Sequence, residues 1–297
     1  MSTTSRAFLP WAVLATVGAI AVASAATQAS NPFIAGQRST EERPLLPERA
    51  ARVAERARAV GRLLGLPSAT VHATRVVDRF EQHEVDRATF TTPDGREVAM
   101  VDFDDAERVH LALRLGAGPG KGPRIAAGRA SDRARGLTRD LGFDVIGQPA
   151  IDDNPSIGGW LVYWPRLVDG FTVKGDGLRV GLSTNGSFDS FARWEHPLAA
   201  RPATVVALEI ARSAAESWLD ERFGAAASAY EITEMSVAWV APNDTWDPAK
   251  PDAPDPLRQL AWIARADAID PASAPVRAIQ VWFDASDLSV IGGDVAQ

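Results

Sequence analysis

Apolar residues recur with two different periods along this chain, and the switches between them outline its elements. Val53, Ala57, Val60 and Leu64 fall at helical spacing in an Ala/Arg/Leu-rich stretch from Glu48 to Leu64, which Gly65 and Pro67 close. Strand-like text follows at Val71 to Phe80 and Ala88 to Thr92, then a Pro93-Asp94-Gly95 turn and Glu97 to Phe103. Val109, Leu111, Leu113 and Leu115 alternate next, before a Gly/Pro linker at Gly116 to Pro123. A second helical segment runs from Ala130 to Leu141. Strands are expected at Phe143 to Ile146, Gly159 to Trp164 and Leu178 to Leu182, and after a Thr184-Asn185-Gly186 turn at Phe188 to Trp194. The third helix is expected over Ala203 to Phe223, with Val206, Ile210, Ala214 and Trp218 every four residues and Gly224 as its stop. Strands at Tyr230 to Val240, Gln259 to Ala266, Pro275 to Phe283 and Leu288 to Ile291 complete the pattern.

Helices beginning near Glu48, Ala130 and Ala203, each followed by antiparallel strands, predict an α+β fold of repeated units, one helix packed on one antiparallel β-sheet. The corresponding division is a signal peptide at 1–25, a proline-bearing tether at 26–47, and units at 48–127, 128–202 and 203–297. The last two units share local text: Leu178-Arg179-Val180-Gly181-Leu182, a turn and Phe188 parallel Ile279-Gln280-Val281-Trp282-Phe283, a turn and Val290.

The N-terminus carries the tripartite export pattern. Arg6 precedes an uncharged apolar run from Ala7 to Ala23, and Ala23-Ser24-Ala25 places small residues where a signal peptidase reads them, so cleavage is expected after Ala25. The run contains Pro10 and is short for a membrane span, and a retained anchor is the alternative. The expected location is therefore extracytoplasmic, with membrane contact only if this segment is kept.

Composition narrows the partners. Of 297 residues 46% are hydrophobic and 23% charged, enough for a core without staples, and the cysteine count of 0 removes disulfides, thiolate nucleophiles and Cys-ligated metals. A net charge of −7 disfavours nucleic acid. The arginines at 49, 52, 56, 58 and 62 are interleaved with Glu48 and Glu55, as on a solvated helix face.

One stretch resembles a known family. Leu260-Ala261-Trp262-Ile263-Ala264 leads through a loop to Val281-Trp282-Phe283-Asp284-Ala285 and then Leu288-Ser289-Val290-Ile291-Gly292, which resembles the closing strands of the PepSY domain. Val168-Asp169-Gly170-Phe171-Thr172-Val173 followed by Leu178 to Phe188 is similar to the related thermolysin-propeptide-type module. Ser286-Asp287 departs from the family, which has Thr-Gly there. The resemblance implies a small non-catalytic module of the envelope or secretome, acting on a protease, with no catalytic residue to carry over.

The sequence carries no recognisable motif for chemistry. His83-Glu84 is followed by Arg87 rather than a second zinc-ligating histidine. Gly181-Leu182-Ser183-Thr184-Asn185-Gly186 has the wrong spacing for a nucleophile elbow, and Lys121 is followed by Gly122 where a P-loop needs Ser or Thr. Asp152-Asp153 sit on adjacent strand positions and face opposite ways. No cofactor or metal is expected. The acidic proline loop holding Asp244, Trp246, Asp247, Asp252 and Asp255 lacks the alternating calcium-loop order and reads as a contact loop. Trp160 and Trp164 share strand parity and could form one aromatic face. The expected function is that of a non-catalytic extracytoplasmic interaction protein, a protease modulator or envelope accessory protein. The alternatives are a glycan- or envelope-binding module using exposed tryptophans, and an enzyme with an unrecognised carboxylate site.

Overall fold

The structure, a computed structural model, describes residues 40–78, 83–116, 120–154, 158–243, 257–271, 274 and 276–296. The signal-peptide expectation and the contact loop of Asp244, Trp246, Asp247, Asp252 and Asp255 lie outside these residues.

Among the described residues, three α-helices punctuate the strands: α1 (Pro47–Leu64), α2 (Ala127–Asp140) and α3 (Leu208–Phe223). Before α1 runs β1 (Thr40–Pro44), and after it β2 (Thr70–Asp78), β3 (His83–Thr91), β4 (Glu97–Phe103) and β5 (Val109–Arg114). After α2 come β6 (Ala150–Asn154), β7 (Gly159–Val168), β8 (Phe171–Leu182) and β9 (Phe188–Trp194). After α3 come β10 (Tyr230–Val240), β11 (Gln259–Ala268), β12 (Ala278–Asp284) and β13 (Val290–Ala296).

Helix α1 forms where its periodicity requires. Pro47 occupies the first turn, where its missing N–H costs nothing, and Gly65 ends the helix at φ 66°. Val53, Ala57, Val60 and Leu64 are buried on its inner face. With Ala130, Ala134 and Leu137 of α2 they pack on Phe90, Val101, Phe103, Val162, Leu182 and Phe191 of the sheet. Alanines at the helix faces, fully buried at 57, 130 and 134, let the helices approach that sheet closely.

The expected α+β fold of repeated units, one helix on each separate antiparallel sheet, is not what the chain forms. All thirteen strands of the described residues join one mixed sheet, ordered β1-β2-β3-β4-β5-β9-β8-β10-β11-β12-β13, with β7 also on β8 and β6 on β7. The pairing crosses both expected boundaries. Strand β5 meets β9 antiparallel through three residue pairs, and β8 meets β10 in parallel at Thr172↔Ala238 and Val173↔Trp239. Joining strands in this way removes open edges that separate sheets would leave. Spacing along the chain carries no information about such non-local hydrogen bonds.

Local differences have physical reasons too. The last part of the expected tether is β1, paired with β2 from Thr40↔Asp78 to Pro44↔Thr74; its charged text, with Pro at the end, suits an edge strand. Phe143 to Ile146 is not a strand. Arg135 instead claims the Val145 carbonyl, donating to its O at 2.9 Å, and the next glycine's, Gly147 O, at 2.7 Å, while Phe143 stacks on Phe191. The sheet partner of β7 on this side is β6, an acidic strand without the expected alternation. Helix α3 starts at Leu208, and its buried face is Ala211, Ala215 and Leu219, with Ile210 58% exposed. The apolar stripe one position away wins because alanines let Trp239 and Trp262 fill the space between helix and sheet.

At the far edge, Asn243 clamps β13. Its side chain donates to Gly293 O and accepts from Gly293 N, both at 2.8 Å, and its own N–H donates to Ile291 O at 3.0 Å. Gly292 makes room, since a Cβ there would lie 2.0 Å from Asn243 Oδ1 at a φ of 153°. Asn243→Ala is expected to lower stability by about 1 kcal/mol, read as a shift in urea midpoint at constant slope. An unchanged midpoint would deny the clamp any role.

Candidate functional site

Strands β5 and β9 pair at Leu111↔Ala192, Ala112↔Phe191 and Leu113↔Ser190. Beyond Leu111↔Ala192 they part. Into this gap project Asp104, Arg108 and His110 from one side and the side chains of residues 193–197 from the other, lining a half-open cleft of about 220 Å³.

Aromatic rings form one wall. Trp194 meets His110 edge-on with centroids 4.8 Å apart, and lies nearly parallel to His196 at 6.1 Å. His196 is held from behind by Asp176, whose side chain is wholly buried. The imidazole Nδ1 contacts Asp176 Oδ1, the His196 backbone N–H donates to Asp176 Oδ2 at 2.8 Å, and Arg166 Nη1 donates to the same oxygen at 2.9 Å. Arg166 Nη1 also donates to His196 O at 2.8 Å, so one guanidinium secures both partners.

Two glycines put Asp176 there. Gly175 (φ 87°) and Gly177 (φ 131°) flank it, and a Cβ on Gly177 would fall 2.1 Å from Trp164 O. Both hold a positive φ that glycine favours. The first part of β8 pairs with β10, and the part from Gly177 to Leu182 pairs with β9. Asp176 sits at the change of partner, within reach of the segment that leaves β9.

The opposite wall is charged. Arg193, with only 6% of its side chain exposed, donates through Nη2 to Asp104 Oδ2 and lies over the Phe143 ring. Arg108 donates to Asp104 through its backbone N–H at 2.8 Å and through Nε at 3.0 Å. Burial pushes the Asp104 carboxyl up, but these donors and the nearby positive charge outweigh it and hold the group below its ordinary value. The same competition lowers Asp176, where His196 and Arg166 overcome desolvation. Arg193 Nε is buried and finds no hydrogen-bond partner among the described residues.

The tryptophan face expected from parity lies elsewhere. Trp164 is 4% exposed in the core beneath α2, with Arg135 over its ring. Trp160 is half-buried, donates its indole N–H to Ile125 O at 2.9 Å and is capped by Arg124 at 4.2 Å. Both fill the seam between α2 and the sheet rather than present a bare face. Asp152 and Asp153 are exposed on β6, and Asp153 pairs with Arg124.

A second cleft of about 340 Å³ lies between α3 and β10, lined by the exposed Glu216, Asp220 and Glu231 with Arg212. It has no counterpart to the buried Asp176 and Arg193. Among the described residues no group of three His, Cys, Asp or Glu could hold a metal ion, and no helix is long and apolar enough to cross a membrane.

The sequence holds four histidines and nine tryptophans, and no motif or spacing links His110, Trp194 and His196. His110 and His196 are distant in sequence and both pack against Trp194 because β5 pairs with β9, for which no local pattern exists. A comparison with protein-family models, with curated proteins and with solved structures finds no match to this chain.

Proposed function

We propose that this chain is a non-catalytic, extracytoplasmic interaction protein that docks a partner protein in the cleft between β5 and β9. The observation that carries the reading is the ring set of His110, Trp194 and His196, in which His196 is held from behind by the buried Asp176. Tryptophan and arginine in a fixed pocket are the side chains that dominate protein interfaces, and a wall already held in place loses little entropy on binding. The cleft is smaller than the roughly 300 Å³ at which drug-sized ligand sites begin, and suits one or two side chains of a partner.

The carboxylate-enzyme alternative is less well supported by the same site. A general acid needs its pKa raised toward neutrality, whereas Asp104 and Asp176 are both held low by the cations around them. The extracytoplasmic location rests on the pattern of residues 1–25. A secreted or envelope protease is the partner class that the PepSY resemblance adds, and the cleft reading does not depend on it.

The test is comparative capture of partners from the native host, using the wild-type chain, Trp194→Ala, and Ile146→Ala as an exposed control site. Trp194→Ala should reduce recovery of a specific partner about tenfold or more while retaining the wild-type melting temperature. Equal recovery by all three folded proteins would refute docking in this cleft.

A further inference from the structure

We propose that the cleft receives an acidic segment of its partner, whose carboxylate replaces Glu195 on the Arg193 guanidinium. This rests on the docking reading above and specifies its chemistry. Arg193 is a buried cation whose hydrogen bonding is incomplete. Nη2 is committed to Asp104 and Nε has no partner among the described residues. Nη1 reaches Glu195 Oε2 at 3.4 Å, long beside the roughly 2.8 Å of a good charge-assisted bond. Under-satisfied buried cations are costly, and a closer carboxylate would relieve this one.

Glu195 can give way. Its side chain is 50% exposed, so it can turn into solvent without leaving a buried charge behind. Asp104 is a weak opponent, because its carboxylate already accepts from Arg108 N, Arg108 Nε and Arg193 Nη2. The rim adds Arg108, 53% exposed, and Trp194 supplies an apolar surface for the methylenes of a glutamate. Glu195 is then the chain's own stand-in for the ligand, and it competes with it.

The net charge of −7 repels long polyanions at a distance, so a short probe reads the site best. Tetraglutamate titrated calorimetrically into the folded chain should bind saturably, and tetralysine should not. Arg108→Gln should weaken that binding about tenfold, and Glu195→Gln should strengthen it several-fold, on the order of what removing one competing contact gives. A purely structural Glu195 would not tighten binding when neutralised. Absence of saturable tetraglutamate binding in both the wild type and Glu195→Gln overturns the inference, as does equal affinity in all three proteins. If Trp194→Ala abolishes partner capture while tetraglutamate fails to bind, the docking reading stands and the acidic segment is wrong.

Discussion

Asp176→Ala is expected to destabilise the protein by about 3 kcal/mol at neutral pH, because it leaves cationic and N–H donors without their acceptor. The wild-type carboxylate takes hydrogen bonds from Arg166 Nη1, the His196 backbone N–H and the His196 ring. Breaking a buried pair from one side costs about 3–5 kcal/mol in general, and the lower end applies because the Arg166 and His196 side chains keep some contact with solvent. The Asp176 carboxyl is held below its ordinary value, since His196 and Arg166 outweigh the burial that would raise it. A depressed carboxylate contributes stability that is fully present above the unfolded-state value, near about pH 4, and lost as pH falls through the folded-state value. The gap between wild type and variant should therefore hold through mildly acidic pH and close in strong acid. Urea unfolding at a series of pH values measures it. A variant within about 0.5 kcal/mol of wild type at neutral pH would show that the anchor behind His196 is dispensable.

Trp239→Ala should cost about 3–5 kcal/mol, the range for truncating a fully buried large aromatic. Trp239 is 1% exposed, packed with Val173, Ala211, Ala215, Leu260 and Trp262, and its indole N–H donates to Val168 O at 3.4 Å. Alanines at 211 and 215 have no bulk to collapse into the cavity, so relaxation is limited. The position also matters for coupling. Trp239 supplies one of the two parallel residue pairs between β8 and β10. Its loss should split calorimetric unfolding, with β10–β13 melting first. Trp239→Phe should recover most of the stability. One cooperative transition with a loss below about 1 kcal/mol would argue that the seam is held elsewhere.

Much of the secondary structure was legible in particular residues. Helix α1 begins at Pro47, one residue before the expected Glu48, and ends at Gly65 as expected, and the Pro93-Asp94-Gly95 and Asn185-Gly186 turns lie where strand pairs reverse. The strand text from Tyr230 onward matches β10 to β12 closely. Where local reading failed, it failed through competition for partners. Phe143 looked like strand and became a core anchor because Phe191 and Arg135 offered better contacts than a ladder. Asp86 and Asp102, for which the local text names no partner, are 1% and 2% exposed, because Arg49 and Arg75 hold the first and Arg87 clasps the second through two bonds.

What the sequence determined by itself is the order and approximate extent of most helices and strands, and a composition able to bury a core without disulfides. These properties are local, set by periodicity, turn residues and residue counts. Only the tertiary structure decided that the thirteen described strands share one sheet, since β5–β9 and β8–β10 pairing depends on contacts between residues far apart in the chain. It alone also assembled the cleft. His110 reaches Trp194 through sheet register, and Asp176, flanked by the positive-φ Gly175 and Gly177, reaches His196 where β8 changes partner from β10 to β9. Register and bends are settled by the summed packing and hydrogen bonding of the whole sheet, which no short window of sequence encodes.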